Sequence, residues 1–425
     1  MKDAVERYIR LHALLEKDAP VAVALSGGAD SVALALVLRE LGYSVVALHC
    51  NFHLRGEESC RDEAFVRGFC EERGVELKVK HFSTREYAAE HGLGVEMAAR
   101  ELRYRWFEEE RSALSAQAIA VAHHRDDQAE TLLLNIVRGT GLRGLAAMRP
   151  KRDNVVRPLL CVSKDDILRY LKQKGQSFVT DSTNLERETF RNVLRLDIIP
   201  QLEKANPKTV DNMADTCRIV QDSIQVYRKG IETLFAENGV SESHFPLATL
   251  HDHQLAHTLL YEWLYAKGFS EAQLGEMTTP STACGRVWQS ATHRVLRDRD
   301  ALLLEGLHAK DDDVSVTVET VDAIGDKAPH IAYFDAELIT RPLVIRTVKL
   351  GDWFVPFGMK GRKLISDFLT NQKVSVFDKE RQKVMTCGDD IVWVLGRRSD
   401  NRYRVTDRTK SILKVTLSGC GSQRS

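Results

Sequence analysis

Short apolar runs alternate with helically spaced apolar residues over the first half of the chain. Three of the runs cover residues 21–25, 44–48 and 118–122. Short apolar runs indicate buried strands, and apolar residues three or four positions apart indicate helices. Strands that alternate with helices predict a parallel sheet covered on both faces. Because such sheets bind ligands at the carboxyl ends of their strands, we expect Ser26 and His123 to lie at the edge of a site.

The pattern changes in the second half of the chain. Apolar stripes at residues 213–234 and 255–264 predict two helices, and apolar runs at 286–288 and 301–304 predict a hairpin. An acidic stretch that follows is interpreted as a linker. The predicted domains are residues 1–212, residues 213–310 (mainly helical), residues 311–341 (the acidic linker) and residues 342–425 (a basic C-terminal domain).

The composition is that of a globular protein. The chain has 425 residues, of which 43% are hydrophobic and 28% charged, and this excludes wholesale disorder. No run of about 18 apolar residues predicts a membrane span, and the charged residues 1–7 do not resemble a signal peptide. The 8 cysteines include no CxxC pair. This favours reduced thiols in the cytoplasm and argues against a zinc ribbon or an iron–sulfur site.

Charge is distributed unevenly, although the formal net charge is zero. Residues 305–337 carry a net charge of −7, whereas residues 342–425 carry +9. A basic segment of this size is typical of a nucleic-acid contact. The alternative is a solvated charged face that balances the acidic stretch before it.

A glycine-rich loop follows the first predicted strand and precedes a predicted helix. It consists of Ser26, Gly27, Gly28, Ala29, Asp30 and Ser31. The glycines allow the backbone to approach phosphates, the N–H groups at the helix start attract an anion, and the serine hydroxyls add donors. Asp30 is predicted to hold Mg²⁺, and the lack of a lysine distinguishes the loop from a Walker A motif. The alternative is a Gly-Gly turn capped by serine.

A second cluster of polar side chains follows the predicted strand at residues 118–122. It is His123-His124-Arg125-Asp126-Asp127-Gln128-Ala129-Glu130-Thr131. Asp127 and Glu130 stand three positions apart on a predicted helix, so their carboxylates share one face. Beside a phosphate loop, such a pair suits a cationic amine. The alternatives are helix capping by the aspartates and a zinc site, which the lack of HExxH spacing disfavours.

These motifs resemble those of known enzyme families. Ser-Gly-Gly-x-Asp-Ser resembles the loop of the N-type ATP pyrophosphatases, and the whole chain is similar to the tRNA(Ile)-lysidine synthetases. The residues that carry this similarity are 96–104, 122–131, 138–145, 181–184, 191–195, 199–200, 356–361, 363–368 and 393–398. His53 departs from the pattern, because the family more often has glycine before Leu54-Arg55.

The resemblance implies a fold and a reaction. The fold class is α/β, with a parallel-sheet, Rossmann-like ATP-pyrophosphatase domain, a mainly helical middle domain and a small mixed C-terminal domain. The reaction attaches L-lysine to the wobble cytidine of an isoleucine tRNA with anticodon CAU, and its cofactors are ATP and Mg²⁺. The 2-oxo group of the flipped cytidine is adenylated with release of pyrophosphate, and the lysine ε-amine then displaces AMP.

The resemblance and the residue chemistry together assign roles to side chains. Asp30, Asp127 and Arg100 are predicted to be catalytic, and the loop residues 26–31 to bind ATP. Asp127 and Glu130 are predicted to bind the ammonium groups of lysine. The residues predicted to contact tRNA are Arg138, Arg143, Arg191, Asn192 and Arg195.

Other interpretations of the basic residues stay open. Arg100, Arg103 and Tyr104 share a helix face. The alternative for Arg103 is an ion-paired helix with Glu96 and Glu101. The arginines at positions 187, 191 and 195 are spaced as phosphate contacts on one side of a helix are, but a solvated charged face has the same pattern.

Two other functions are compatible with parts of the sequence. A tRNA thiolation enzyme of the same superfamily often uses paired cysteines, and the chain has no CxxC. A non-catalytic RNA-binding adaptor would keep ATP only as a structural ligand. No membrane partner is expected, and a homodimer is left open because no coiled coil or extended apolar face stands out.

Overall fold

The computed structural model describes residues 1–180, 189–252, 254–279, 282–307 and 314–418. Residue contacts divide the chain into two compact units, residues 1–228 and 229–425. The motif Asp181-Ser182-Thr183-Asn184, Arg187 and the acidic residues 311–313 lie outside the described residues.

The first unit is built on a mostly parallel sheet. Its strands are β1 Val21–Ala24, β2 Val45–Asn51, β3 Glu76–His81, β4 Ala118–Ala120, β5 Lys151–Arg152 and β6 Val155–Val156. Their order in the sheet is β3-β2-β1-β4-β6-β5. All neighbouring pairs are parallel except β5 and β6, which are antiparallel. The predicted parallel sheet is confirmed.

Helices connect and cover these strands. They are α1 Lys2–Leu11, α2 Ala29–Glu40, α3 Glu57–Arg73, α4 Thr84–His91, α5 Val95–Ala113, α6 Arg125–Arg138, α7 Leu142–Leu145, α8 Lys164–Gln173, α9 Phe190–Val193, α10 Ile199–Ala205 and α11 Thr209–Glu237. A π-helical turn at Leu194–Ile198 joins α9 to α10. The long helix α11 confirms the helix predicted from the apolar stripe at residues 213–234.

The core of this unit explains its sequence pattern. Val21 and Val23 of the central strand are fully buried, and α2 buries apolar residues along most of its length. Strands covered on both faces are expected to be continuous apolar runs. Because β1 and β4 are parallel neighbours, Ser26 and His123 follow them at the same edge of the sheet. The antiparallel pair β5 and β6 is not predicted, because strands of 2 residues are too short to show a period.

The second unit combines short helices with small antiparallel sheets. Its further helices are α12 Leu247–Asp252, α13 Ala256–Leu264, α14 Glu271–Thr278, α15 Ile365–Asn371 and α16 Val376–Arg381. Its strands are β7 His244–Pro246, β8 Val287–Gln289, β9 His293–Arg297, β10 Ala301–Gly306, β11 Ser315–Val321, β12 Ile331–Asp335, β13 Leu343–Thr347, β14 Trp353–Phe354, β15 Lys363–Leu364, β16 Lys383–Cys387, β17 Asp390–Val394, β18 Arg398–Ser399 and β19 Ile412–Ser418. The sheet orders are β7-β10-β9-β8, β11-β19-β12, β13-β16-β17-β18 and β14-β15. This arrangement confirms the predicted fold class.

The interpretation of residues 311–341 as a linker is wrong. β11 and β12 in this segment both pair with β19, so the segment shares a sheet with the C-terminal strand. The acidic residues dominate the charge count, but valines that alternate with polar residues at 314–318 are a strand pattern. The boundaries of the other predicted domains stay predictions. Within the described residues, no helix combines the length and apolar character that crossing a bilayer requires.

Candidate active site

The glycine-rich loop lies between the end of β1 and the start of α2. Gly27 has a φ of +90°, which glycine adopts without strain and other residues rarely adopt. Gly28 is the N-cap of α2, so the N–H groups of the first helical turn, which have no partner within the helix, lie at the loop. A helix start of this kind attracts anions.

The loop packs closely against two other segments. The amide of Val179 donates to the carbonyl oxygen of Gly27 at 2.9 Å. A Cβ on Gly27 would lie 3.3 Å from Val66 Cγ2, which is tighter than an ordinary contact. Both the backbone angle and the surroundings therefore favour glycine at position 27.

The two serines of the loop differ in their surroundings. Ser31 is buried, and its hydroxyl donates to the carbonyl oxygen of Gly28 at 3.0 Å and accepts from the amide of Ser26 at 3.2 Å. Ser26 is exposed, with its hydroxyl oxygen 3.1 Å from that of Ser31. Ser31 therefore stabilises the shape of the loop, whereas Ser26 is the serine that a phosphate can reach.

Asp30 lies in the first turn of α2 with its carboxylate partly exposed. Lys164, the first residue of α8, donates from Nζ to Asp30 Oδ1 at 2.6 Å. Nε2 of His124 lies 3.8 Å from Asp30 Oδ2. The sequence analysis does not connect Lys164 with the loop, because 134 positions separate the two residues and no local pattern joins them.

His124 lies between the glycine-rich loop of residues 26–31, which we call the phosphate loop, and Asp127 and Glu130, which we call the carboxylate pair. Its Nδ1 is 3.2 Å from Asp126 Oδ2, and its Nε2 is 3.6 Å from Asp127 Oδ2. Burial opposes a charge on this ring, but the hydrogen bond with Asp126 and two further carboxylate charges outweigh burial and raise the pKa of His124. The raised pKa favours the protonated ring, and in that form it is a countercharge shared by three carboxylates.

The neighbouring His123 has the opposite electrostatics. Burial lowers the pKa of His123 to about 4, so its ring is neutral at pH 7. Its Nδ1 is buried, and the described part of the chain offers it no hydrogen-bond partner. The surroundings thus shift the pKa values of the two adjacent histidines in opposite directions, and the motif itself does not reveal those surroundings.

The predicted amine-binding carboxylates are paired with two arginines. Arg191 donates from Nη2 to Asp127 Oδ1 at 3.0 Å and from Nε to Glu130 Oε2 at 2.7 Å. Arg195 donates to Glu130 from Nε at 2.5 Å and from Nη2 at 3.0 Å. Only 7% of Asp127 and 1% of Glu130 is exposed. We call these four side chains the carboxylate–arginine cluster. In it, two residues predicted to contact tRNA bind the two residues predicted to contact lysine.

Asp127 also caps α6. Its Oδ2 accepts a hydrogen bond from the backbone amide of His124 at 2.9 Å, as the capping alternative predicts. Burial opposes ionisation of this carboxyl, but the positive charges of His124 and Arg191 outweigh burial and hold the pKa of Asp127 below its usual range. The carboxylate is ionised at pH 7, and a further cation must compete with these neighbours for it.

The predicted residues on α5 lie apart from these contacts. Arg100 is exposed, with its guanidinium carbon 5.1 Å from the ring centre of Tyr104. No hydrogen bond or ion pair between described residues joins Arg100 to the carboxylates of the site. The guanidinium carbon of Arg103 lies 5.1 Å from the ring centre of Phe52. This contact differs from the ion pairs with Glu96 and Glu101 that the alternative interpretation predicts.

Arg138 and Arg143 flank a glycine-rich turn. Arg138 is exposed at the end of α6, and Arg143 lies on α7. A Cβ on Gly144 would overlap the side chain of Thr140, so the turn requires glycine there. Asn192 lies on α9, within the segment that carries the two arginines of the cluster.

The donor set at the loop fits Mg²⁺ in the company of a nucleotide. Among the described residues, no group of three His, Cys, Asp or Glu side chains is arranged to hold a metal by itself. Mg²⁺ beside a nucleotide needs only one or two carboxylates, because phosphates and water supply the other oxygens. The partly exposed carboxylate of Asp30 meets that need if the metal ion replaces Lys164 as its partner.

Models of protein families match two parts of the chain. Residues 2–202 match a PP-loop domain, and residues 239–307 match a TilS substrate binding domain. Among solved structures, the U34-tRNA thiolase NcsA from Methanococcus maripaludis with its 4Fe-4S cluster aligns at a TM-score of 0.43. It shares 22% sequence identity over 52% of this chain and 78% of that chain.

Curated relatives match the chain over almost its whole length. The tRNA(Ile)-lysidine synthase of Parabacteroides distasonis is 44% identical over 99% of this chain and 100% of its own length. The tRNA(Ile)-lysidine synthase of Bacteroides thetaiotaomicron is 42% identical over 97% of this chain and 99% of its own length. The chain therefore belongs to the tRNA(Ile)-lysidine synthase family.

Proposed function

We propose that this chain joins L-lysine to the wobble cytidine of an isoleucine tRNA with anticodon CAU, using ATP and Mg²⁺ in the cytoplasm. The observation that carries the proposal is the position of His124. Its Nε2 lies 3.8 Å from Asp30 of the phosphate loop and 3.6 Å from Asp127 of the carboxylate pair. An anion-binding loop and a carboxylate pair around one ring support a reaction between a nucleotide-activated oxygen and an amine.

The proposed reaction has two steps. The cytidine 2-oxygen attacks the α-phosphorus of ATP, the bond between the α-phosphorus and its bridging oxygen breaks, and pyrophosphate leaves with the electron pair. The neutral ε-amine of lysine then attacks C2, the C2–O bond breaks, AMP leaves, and the amine gives up a proton. Adenylation is needed because the 2-oxygen of a pyrimidine is a poor leaving group.

The loop residues 26–31 are proposed to bind the phosphates of ATP. The backbone N–H groups at the start of α2 and the exposed Ser26 hydroxyl supply the donors, while Ser31 stabilises the loop from within. Asp30 would hold Mg²⁺, which neutralises phosphate charge.

Asp127 and Glu130 are proposed to bind the ammonium groups of lysine, with Asp127 orienting the amine that reacts. Their support is that both are buried and that both already bind cationic side chains. The catalytic role of Arg100 stays a prediction, since its guanidinium lies against Tyr104.

The turn between α6 and α7 is proposed to contact the anticodon loop through Arg138 and Arg143. Beside these arginines, the apolar side chains of Ile136, Val137 and Leu142 are 50%, 64% and 44% exposed. Unstacked bases in a single-stranded loop stack on aromatic rings or on the planes of arginine guanidinium groups. The turn carries two guanidinium groups, with exposed apolar side chains beside them.

A cavity of about 520 Å³ in the second unit supports a further RNA contact. Its lining includes Lys360, Arg362, Arg402 and Arg404, with Asp335 as the acidic member. Arg402 is paired with two aspartates. No ion pair between described residues neutralises Lys360, Arg362 or Arg404, so these three cations are available to phosphates.

The thiolation alternative is disfavoured by the lack of a CxxC pair and, at four of the cysteines, by the burial of the thiol. Burial raises the pKa of Cys50 to about 12 and those of Cys70, Cys161 and Cys217 to about 11. A thiol of such high pKa is rarely a thiolate at pH 7, and the thiolate is the nucleophile. The cysteines of the described residues are free, which supports the proposal of a reducing compartment.

Release of pyrophosphate from ATP, measured with total tRNA, tests the proposed function. We expect repeated turnover only when tRNA and lysine are both present. Turnover that needs tRNA but is indifferent to lysine would contradict the proposal and favour a thiolation enzyme. No release under any condition would favour the RNA-binding adaptor.

A further inference from the structure

We propose that Arg191 and Arg195 close the lysine site in the free protein, and that phosphates of the bound tRNA open it by drawing these arginines away. This inference rests on the proposed function, in which Asp127 and Glu130 bind lysine. It predicts that lysine binds tightly only after the tRNA.

The two guanidinium groups occupy the positions that substrate ammonium groups need. Glu130 accepts three hydrogen bonds from the arginines, at 2.5, 2.7 and 3.0 Å, and is 1% exposed. An ammonium group therefore has no access to this carboxylate until a guanidinium leaves. Because an unpaired buried carboxylate is strongly disfavoured, the exchange has to replace one cation with another.

Phosphates are suited to draw the arginines away. The side chains of Arg191 and Arg195 are 39% and 35% exposed, so an anion can reach them from solvent. A guanidinium binds phosphate with the same two-pronged geometry that it uses for carboxylate. If RNA phosphates bind the arginines while the ammonium groups of lysine bind the carboxylates, every charged group keeps a partner of opposite charge.

The backbone that carries the arginines is suited to a small shift. Arg191 lies on α9, which has 4 residues, and Arg195 lies in the π-helical turn that follows. Helices of one turn have little stability of their own, and π-helical turns are frequent at functional sites. Phe190 next to Arg191 is 43% exposed, so few apolar contacts hold this end of the segment.

Closure of this kind would couple the two substrates. If tRNA tightens lysine binding by a given factor, lysine must tighten tRNA binding by the same factor. It would also keep the ε-amine away from the activated nucleotide until a cytidine is present. The alternative is that the carboxylate–arginine cluster is a permanent ion-pair network and that lysine binds elsewhere.

Equilibrium binding of radiolabelled L-lysine to the full chain tests the inference without any substitution. The measurement is made with and without a synthetic RNA hairpin that carries a CAU loop. We expect the hairpin to tighten lysine binding about tenfold. Equal lysine affinity with and without bound hairpin would show that the arginines do not close the site.

Arg191→Gln gives a second measurement in a protein that should still fold, because Arg195 continues to hold Glu130 through two hydrogen bonds. We expect this variant, without RNA, to bind lysine about tenfold more tightly than the unmodified chain, and to gain little from the hairpin. Arg169→Gln, which removes an exposed ion pair with Asp166 on α8, is the matched control. Unchanged or weaker lysine binding by Arg191→Gln would overturn the inference.

Asp127→Asn separates this inference from the proposed function on which it rests. If Asp127→Asn leaves lysine affinity unchanged, the carboxylates do not bind lysine and the proposed site is wrong. If Asp127→Asn weakens lysine binding while Arg191→Gln does not strengthen it, the lysine site stands and only its closure by the arginines is wrong.

Discussion

The phosphate loop and the carboxylate–arginine cluster present charge to ligands in opposite ways. The loop relies on backbone N–H groups, and the serine hydrogen bonds that shape it join residues no more than 5 positions apart, although Val179 and Lys164 also bond to it from distant segments. The cluster consists of ionised side chains, and 61 to 65 positions separate its arginines from Glu130. The loop is therefore a local structure that a motif defines, whereas the cluster depends on the tertiary fold. Substitutions should affect binding of a phosphate at the first and of a cation at the second.

The largest expected effect comes from Asp30→Ala. We expect loss of the metal ligand to slow pyrophosphate release about a hundredfold or more, because it removes charge stabilisation in the transition state. Thermal unfolding should change little, since the side chain is partly exposed in the first turn of α2. The measurement is the rate at saturating Mg²⁺, ATP, lysine and tRNA.

Lys164→Gln is the control for this prediction. It removes the ion pair with Asp30 and keeps the carboxylate. If Asp30 acts only through that ion pair, both variants lose the same activity. A near-normal rate for Asp30→Ala would show that its proposed metal role is wrong.

Asp127→Asn should affect the carboxylate–arginine cluster and, with it, the use of lysine. A charge-assisted hydrogen bond contributes about 1.5–3 kcal/mol to binding. Because the variant loses it, we expect KM for lysine to rise about ten- to a hundredfold while KM for ATP stays the same. Asp211→Asn, which removes the partner of Arg125 on the surface of α11, is the matched control. Equal changes in the KM values for lysine and ATP would show that Asp127 only caps α6 and does not bind lysine.

Gly27→Ala tests the shape of the phosphate loop. An alanine at a φ of +90° costs about 1–2 kcal/mol in strain, and its Cβ would also press on Val66. Gly42→Ala has nearly the same strain, at a φ of +86°, but no atom of another segment within 4 Å of the new Cβ. We expect both variants to lower the free energy of unfolding and Gly27→Ala alone to weaken ATP binding. Weakened ATP binding in both would mean that the loop's close packing is unimportant.

The smallest expected effect concerns the cavity of the second unit. Lys360→Ala and Arg404→Ala should each weaken tRNA binding a few-fold and flatten its salt dependence by about one unit of slope. Lys327→Ala, an exposed lysine outside the cavity, is the control and should leave the slope unchanged. Point variants are required because removal of residues 342–425 would take β19 out of its sheet with β11 and β12.

Sequence reasoning predicts the parts of this molecule that local patterns define. The strands before Ser26 and His123, the glycine-rich loop and the long helix α11 all follow from periodicity and turn residues. Lys164 beside Asp30 and the arginines on Glu130 do not, because ion pairs between distant segments leave no periodic signal. The acidic segment before residue 342 is misjudged because its charge count hides the alternating valines of β11.

The proposal that lysine becomes attached to the wobble cytidine can be tested directly by labelling. The full chain is incubated with ATP, Mg²⁺, radiolabelled L-lysine and an isoleucine tRNA transcript with anticodon CAU. A transcript that differs only by uridine at the wobble position is the control. We predict that the label enters the first transcript and not the second, and that Asp127→Asn lowers its rate of entry at limiting lysine. Label in neither transcript, or equally in both, would contradict the proposed function.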